Sequence, residues 1–74
     1  MIRTQVFINA EEDELVVELL QDGSEWGEVA WSRETGRTEL RIYLEPGRML
    51  HLDFDEVVSA LHQALSALGP KDDD

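Results

Sequence analysis

Two hydrophobic periods run through this chain. From Ile2 to Ile8 every second residue is apolar or β-branched, with Ile2, Thr4, Val6 and Ile8 on one side and Arg3, Gln5 and Phe7 on the other. That is the repeat of a half-buried strand. From Phe54 onward the repeat lengthens: Phe54, Val57, Val58, Leu61, Leu65 and Leu68 fall at the i, i+3, i+4, i+7 spacing of an amphipathic helix. Asp53 with Glu56 supplies a cap at its start, and Gly69-Pro70 stops it.

Between these ends the turn signals set the reading. Asp22-Gly23, Thr35-Gly36 and Pro46-Gly47 recur at intervals of 13 and 11 residues, the punctuation of a meander of short antiparallel strands. Residues 10–21 admit two readings. Asn9 with Glu12 matches a capping box, and the acidic residues 11–14 suit a helix N-terminus. Val16-Val17 and the turn spacing favour a strand over Leu15 to Gln21, and the strand is the expectation adopted. It pairs with Trp26 to Ser32, which pairs in turn with Thr38 to Leu44 across the turn at residues 33–37. Arg48 to Leu52 adds a short edge strand after Glu45-Pro46-Gly47. Gly27, inside a strand, marks a bulge or the close approach of another backbone.

Strands followed by one amphipathic helix predict an α+β fold: an antiparallel meander sheet of four to five short strands with the C-terminal helix packed on one face. The expected core is Ile2, Val6, Ile8, Val29, Trp31, Leu40, Ile42, Leu44 and the helix stripe. The 74 residues hold one such core, residues 1–69, followed by an acidic tail over 70–74 that reads as disordered. No cysteine is present to staple it.

Charge narrows the function classes. Seventeen Asp and Glu against six Lys and Arg give a net charge of −11, of which Lys71-Asp72-Asp73-Asp74 contributes −2. Such a surface repels phosphates, which argues against direct binding of nucleic acid or an anionic membrane. No apolar run approaches the roughly 20 residues that cross a bilayer, and the start lacks the apolar stretch of a signal peptide. The cytoplasm is the expected location.

Strict alternation puts Phe7, Trp26 and Tyr43 on the face away from the helix, beside Glu28, Glu39 and Arg41. Aromatics mixed with charge are the composition of interface cores, although cross-strand aromatic pairs also stabilise a half-exposed sheet on their own. A second candidate is the acidic run Glu11-Glu12-Asp13-Glu14 with Glu18, Asp22, Glu25 and Glu28. It would dock a basic protein by placing carboxylates where that protein expects phosphates, while the simpler reading is a solvated loop.

Catalytic and metal chemistry find little purchase. His51 and Asp53 share a face of an extended segment, yet Asp53 serves as a helix cap and no set of four ligands at motif spacing occurs. Asp55, Ser59, His62 and Ser66 follow one another at helical spacing on an outer face, with no nucleophile turn and no oxyanion hole. Phosphate loops, dinucleotide turns, Cys-x-x-Cys and His-Glu-x-x-His are absent from the sequence. Neither cofactor nor metal is expected.

The expectation is therefore a non-enzymatic acidic module that inhibits or regulates a basic protein through Phe7, Trp26, Glu28, Arg41 and Tyr43 on the sheet and Glu11, Glu12 and Glu14 at the loop. In acidity, size and build it resembles bacterial immunity proteins, antitoxins and phage-encoded inhibitors, a likeness of composition and of no residue motif. The alternatives are a homodimeric accessory subunit using the Phe7/Trp26/Tyr43 face, and a metal-dependent or hydrolytic enzyme using His51 or His62.

Overall fold

The computed structural model describes residues 1–43 and 45–69. Strands β1 (Ile2–Asn9), β2 (Glu14–Gln21), β3 (Ser24–Trp31) and β4 (Thr38–Ile42) form one antiparallel sheet in the order β1-β2-β3-β4, with helix α1 (Phe54–Leu68) laid across one face. This is the α+β meander the hydrophobic periods predict. Residues 14–21 are strand and not helix.

Local chemistry accounts for each connection. Asn9, the expected helix cap, instead accepts hydrogen bonds through Oδ1 from the N–H of Glu11 (3.2 Å) and Glu12 (3.4 Å). The same side chain that caps a helix can thus organise a turn. Gln21 pairs with Ser24, so Asp22 and Gly23 make a two-residue hairpin. Their φ angles of 51° and 85° are the two positive values a type I′ turn requires. At the other end, Gly36 donates to the Ser32 carbonyl (2.9 Å) and Ser32 to that of Arg37 (2.7 Å), closing the β3–β4 turn. Glu45-Pro46-Gly47-Arg48 forms a further turn closed by Arg48 N–H on the Glu45 carbonyl at 3.1 Å, with positive φ at Gly47.

The expected strand over Arg48 to Leu52 does not form, and β4 ends at Ile42. Pro46 and Gly47 turn the chain off the sheet before a fifth strand can align. Leu44, an expected core residue, and the tail over 70–74 lie outside the described residues.

The helix starts at the Asp53 cap, whose carboxylate accepts from Glu56 N–H at 3.0 Å, and ends at Gly69, whose φ of 74° is readily adopted by glycine. Its buried face differs from the stripe of large residues. Val57, Ala60, Leu61, Ala64 and Leu68 meet the sheet, whereas Phe54, Val58 and Leu65 remain exposed. Alanines at 60 and 64 let the helix approach the strands closely, and the larger side chains fall to its flank.

Opposite the helix lie Val17, Leu19, Trp26 and Val29, with Ile2, Trp31 and Leu52 packed around them. Trp26 is thus a core residue, 6% exposed, and not on the outer face. The reason is a bulge. Leu19 pairs with Gly27 and Leu20 with Glu25, so Trp26 is the extra residue on β3, and the alternation changes phase there. Gly27 also allows a close approach, because a Cβ on it would sit 2.8 Å from the Arg41 carbonyl oxygen. Both meanings of the strand glycine hold at once.

The helix covers β1, β2 and β3. Of the expected core, Val6, Ile8, Leu40 and Ile42 keep the correct face but stay exposed, Ile8 most of all at 68%, beyond the reach of a 15-residue helix.

Candidate functional site

The register separates charge from hydrocarbon. On the helix side the strands present Ile2, Thr4, Val6 and Ile8, then Leu15, Val17, Leu19 and Gln21, then Trp26, Gly27, Val29 and Trp31, and finally Thr38, Leu40 and Ile42. None is ionisable. Every charged strand residue, namely Arg3, Glu14, Glu18, Glu25, Glu28, Glu39 and Arg41, lies on the opposite face, which no helix covers.

Arg41 organises that open face. Its Nε donates to Glu39 (2.8 Å), Nη1 to Glu28 (2.7 Å) and Nη2 to Glu14 (2.9 Å). Reaching Glu14 on β2 from β4 carries the guanidinium across β3 at Ala30, a position where a small side chain leaves room. Ala30 and its neighbour Val16, opposite Phe7, are buried at 0% and 3% with no second layer above them. Their cover comes from the face's own side chains. Charge-assisted hydrogen bonds from Arg41 hold the Glu14 carboxyl below the usual carboxylate range, and the three glutamates raise the guanidinium pKa in turn.

Beside this fan lie carboxylates without a cation of their own. Glu18 is directly opposite Glu28 across β2 and β3, an unfavourable placement for like charges. Glu25 is one strand position from the bulge. Loss of hydration, a hydrogen bond shared with the Glu18 carboxyl, and the charges of Glu18 and Glu28 push Glu25 up to about 7. Tyr43 donates its hydroxyl to Glu28, and its own ionisation is raised by desolvation and by that hydrogen bond. The open face is therefore an acidic array flanked by Phe7 and Tyr43, each 48% exposed.

The expected site residues divide accordingly. Phe7, Glu14, Glu28, Arg41 and Tyr43 come together on the open face. Glu11 and Glu12 sit exposed at the end of the sheet, in the β1–β2 turn, where the Glu12 carbonyl accepts from Arg33. Asp22 lies at the far end, 3.5 Å from the chain's amino terminus. Trp26 leaves the site altogether, replaced by Glu18 and Glu25; alternation alone puts Glu25, three residues before Glu28, on the other face, and it is the bulge that sets both carboxylates beside Glu28. The indole Nε1 of Trp26 is buried without a hydrogen-bond partner among the described residues. Next to it a groove of about 670 Å³ opens between the β2–β3 hairpin, Tyr43 and the segment at Arg48, Met49 and Leu50.

His51 and His62 are exposed, as are Asp55, Ser59 and Ser66. Among the described residues no three His, Asp or Glu side chains converge as metal ligands. No helix among them is long and apolar enough to cross a membrane. No protein-family model, curated protein or solved structure matches this chain.

Proposed function

We propose that this protein is a small acidic binding module whose open sheet face, Glu14, Glu18, Glu25, Glu28 and Glu39 with Phe7 and Tyr43, engages a basic protein partner and so inhibits or regulates it. The observation that carries this reading is the accumulation of carboxylates on one uncovered face, where Glu18 stands directly opposite Glu28 and where desolvation, together with Glu18 and Glu28, pushes Glu25 up to about 7. A cationic side chain placed among Glu18, Glu25 and Glu28 relieves that repulsion and expels the proton. Favourable binding and proton release are then linked, and affinity rises between about pH 6 and 8. The same charge disfavours a second copy docked on this face, since it would set two identical acidic arrays against each other.

The test is capture from a nuclease-treated host lysate at about 0.15 M salt and again at higher salt. One stoichiometric basic protein is expected, released by salt and lost by the double variant Glu18→Gln, Glu25→Gln. Equal capture by the double variant, shown to be folded by circular dichroism, would sink the acidic face as the docking site. Glu11→Gln and Glu12→Gln test the turn separately. Glu14→Gln does not, because it also breaks the Arg41 fan.

A further inference from the structure

β4 ends the sheet, and no strand among the described residues pairs with its outer edge. Within the β3–β4 ladder, Ser32 N–H donates to the Arg37 carbonyl (2.7 Å) and Tyr43 N–H to that of Trp26 (2.9 Å). Odd-numbered residues of β4 therefore turn their backbone groups toward β3. Thr38, Leu40 and Ile42 turn theirs outward, and no backbone hydrogen bond from another described segment meets them. The strand is short and carries charge at Glu39 and Arg41, two of the usual guards against pairing, but those charges are of opposite sign, and the strand has no proline and no bulge.

We propose that this edge pairs with the same edge of a second copy, antiparallel about a two-fold axis at Leu40, joining two sheets into one of eight strands. Charge selects this register. Two residues face each other across an antiparallel ladder only if they share a face, so the symmetric axis falls on one residue. An axis at Glu39 would oppose two glutamates, and one at Arg41 two arginines. With the axis at Leu40, Glu39 of each copy stands opposite Arg41 of the other, and all five residues of β4 are used.

The hydrogen bonds agree with that choice. Leu40 exchanges N–H and C=O with its own copy, and Thr38 does so with Ile42, the outward-turned positions in each case. Glu39 and Arg41 then occupy the non-hydrogen-bonded sites, where side chains approach most closely. On the helix side the axis sets Leu40 against Leu40 and Ile42 against Thr38 of the other copy, Leu40 and Ile42 being 43% and 50% exposed in the single chain, without bringing an ionisable strand residue of that side into contact. A chain of charge −11 can meet itself there with little repulsion between facing strand residues. The open acidic faces stay available for a different partner.

The chain has no cysteine, so a single introduced thiol reports the axis directly. In the paired state Leu40→Cys places two sulfurs across Cα atoms about 5.5 Å apart, within disulfide range. Mild oxidation is expected to convert Leu40→Cys to a covalent dimer at least about tenfold faster than Val6→Cys on the opposite edge, because only the former is held in register. Sedimentation equilibrium of the unmodified chain is expected to show a monomer–dimer equilibrium below about 0.5 mM, and Glu39→Arg to weaken it about tenfold. A chain that remains monomeric throughout that range, or crosslinking fastest at Val6→Cys, would overturn the proposal.

Discussion

The two faces of the sheet are built from the same strands under opposite rules. The helix side has no charge and derives its cohesion from burial of Val17, Leu19, Trp26 and Val29 beneath α1. The open side has no covering layer and is held by one arginine spread over three carboxylates. In a chain this small the first face sets whether the protein folds, while the second is the one we propose meets a partner once it has folded. Burial energy and surface chemistry are thus kept on separate sides, and substitutions should report on one or the other.

The largest contrast is between the aromatics on the two sides. Trp26→Ala should cost about 3–5 kcal/mol, enough to unfold much of a domain this size, whereas Phe7→Ala on the open face should cost about 0.5–1 kcal/mol. Urea denaturation decides it; equal losses would erase the distinction between the faces. Trp26→Phe should fall between them, since it leaves a void but also removes the unpartnered indole N–H.

A smaller effect belongs to the arginine fan. Arg41→Met should cost about 2 kcal/mol at neutral pH by leaving Glu14 and Glu39 without their donor and Glu28 with the Tyr43 hydroxyl only. Because folding lowers the Glu14 pKa below its ordinary 4.5, this contribution is present above that pH and is lost as the pH falls below it. The gap between Arg41→Met and the parent should therefore narrow in denaturation curves taken toward pH 3. A gap that stays constant would mean that the guanidinium acts by packing over Ala30 and not by charge.

The smallest effect has the opposite sign. Folding raises Glu25 from 4.5 to about 7, so in that interval the native chain keeps a proton that the unfolded chain has released. Stability from this group is full below 4.5 and declines as the pH climbs toward 7. Glu25→Gln should flatten that decline and raise the urea midpoint slightly at pH 8, an effect kept small by the solvent exposure of the residue. A parent chain whose midpoint does not fall between pH 5 and 7.5 would remove Glu25 as a titrating group.

What could be read from the residues alone was local chemistry. Asp22-Gly23 makes its hairpin, Asp53 caps its helix and Gly69 ends it, because each acts on backbone groups within a few positions. What escaped depends on phase and on distance in space. The bulge at Trp26 changes the alternation by one, so faces counted forward from the Asp22 turn are reversed beyond it, and faces counted back from Val29 are reversed before it. Gly27 signalled a bulge, but a glycine does not say which neighbour becomes the extra residue. The helix raised a related difficulty, since volume and not hydrophobicity decides which apolar side turns inward, and Ala60 and Ala64 fit where Phe54 and Leu65 do not. The acidic face was half legible: Glu28, Arg41 and Tyr43 follow from alternation, while the reach of Arg41 to Glu14 requires knowing that Ala30 lies between them.

The order of elements along the chain bears on how the protein is made. Each strand neighbours the one before it, so the sheet can grow hairpin by hairpin from contacts close in sequence, a topology that favours rapid folding. The helix that covers the sheet is translated after all four strands and must reach back to β1, the first of them. At about 5–20 residues per second, a nascent sheet would wait on the order of a second or more with its uncharged side bare. During synthesis, then, the face that later secures the fold is the one most in need of a chaperone.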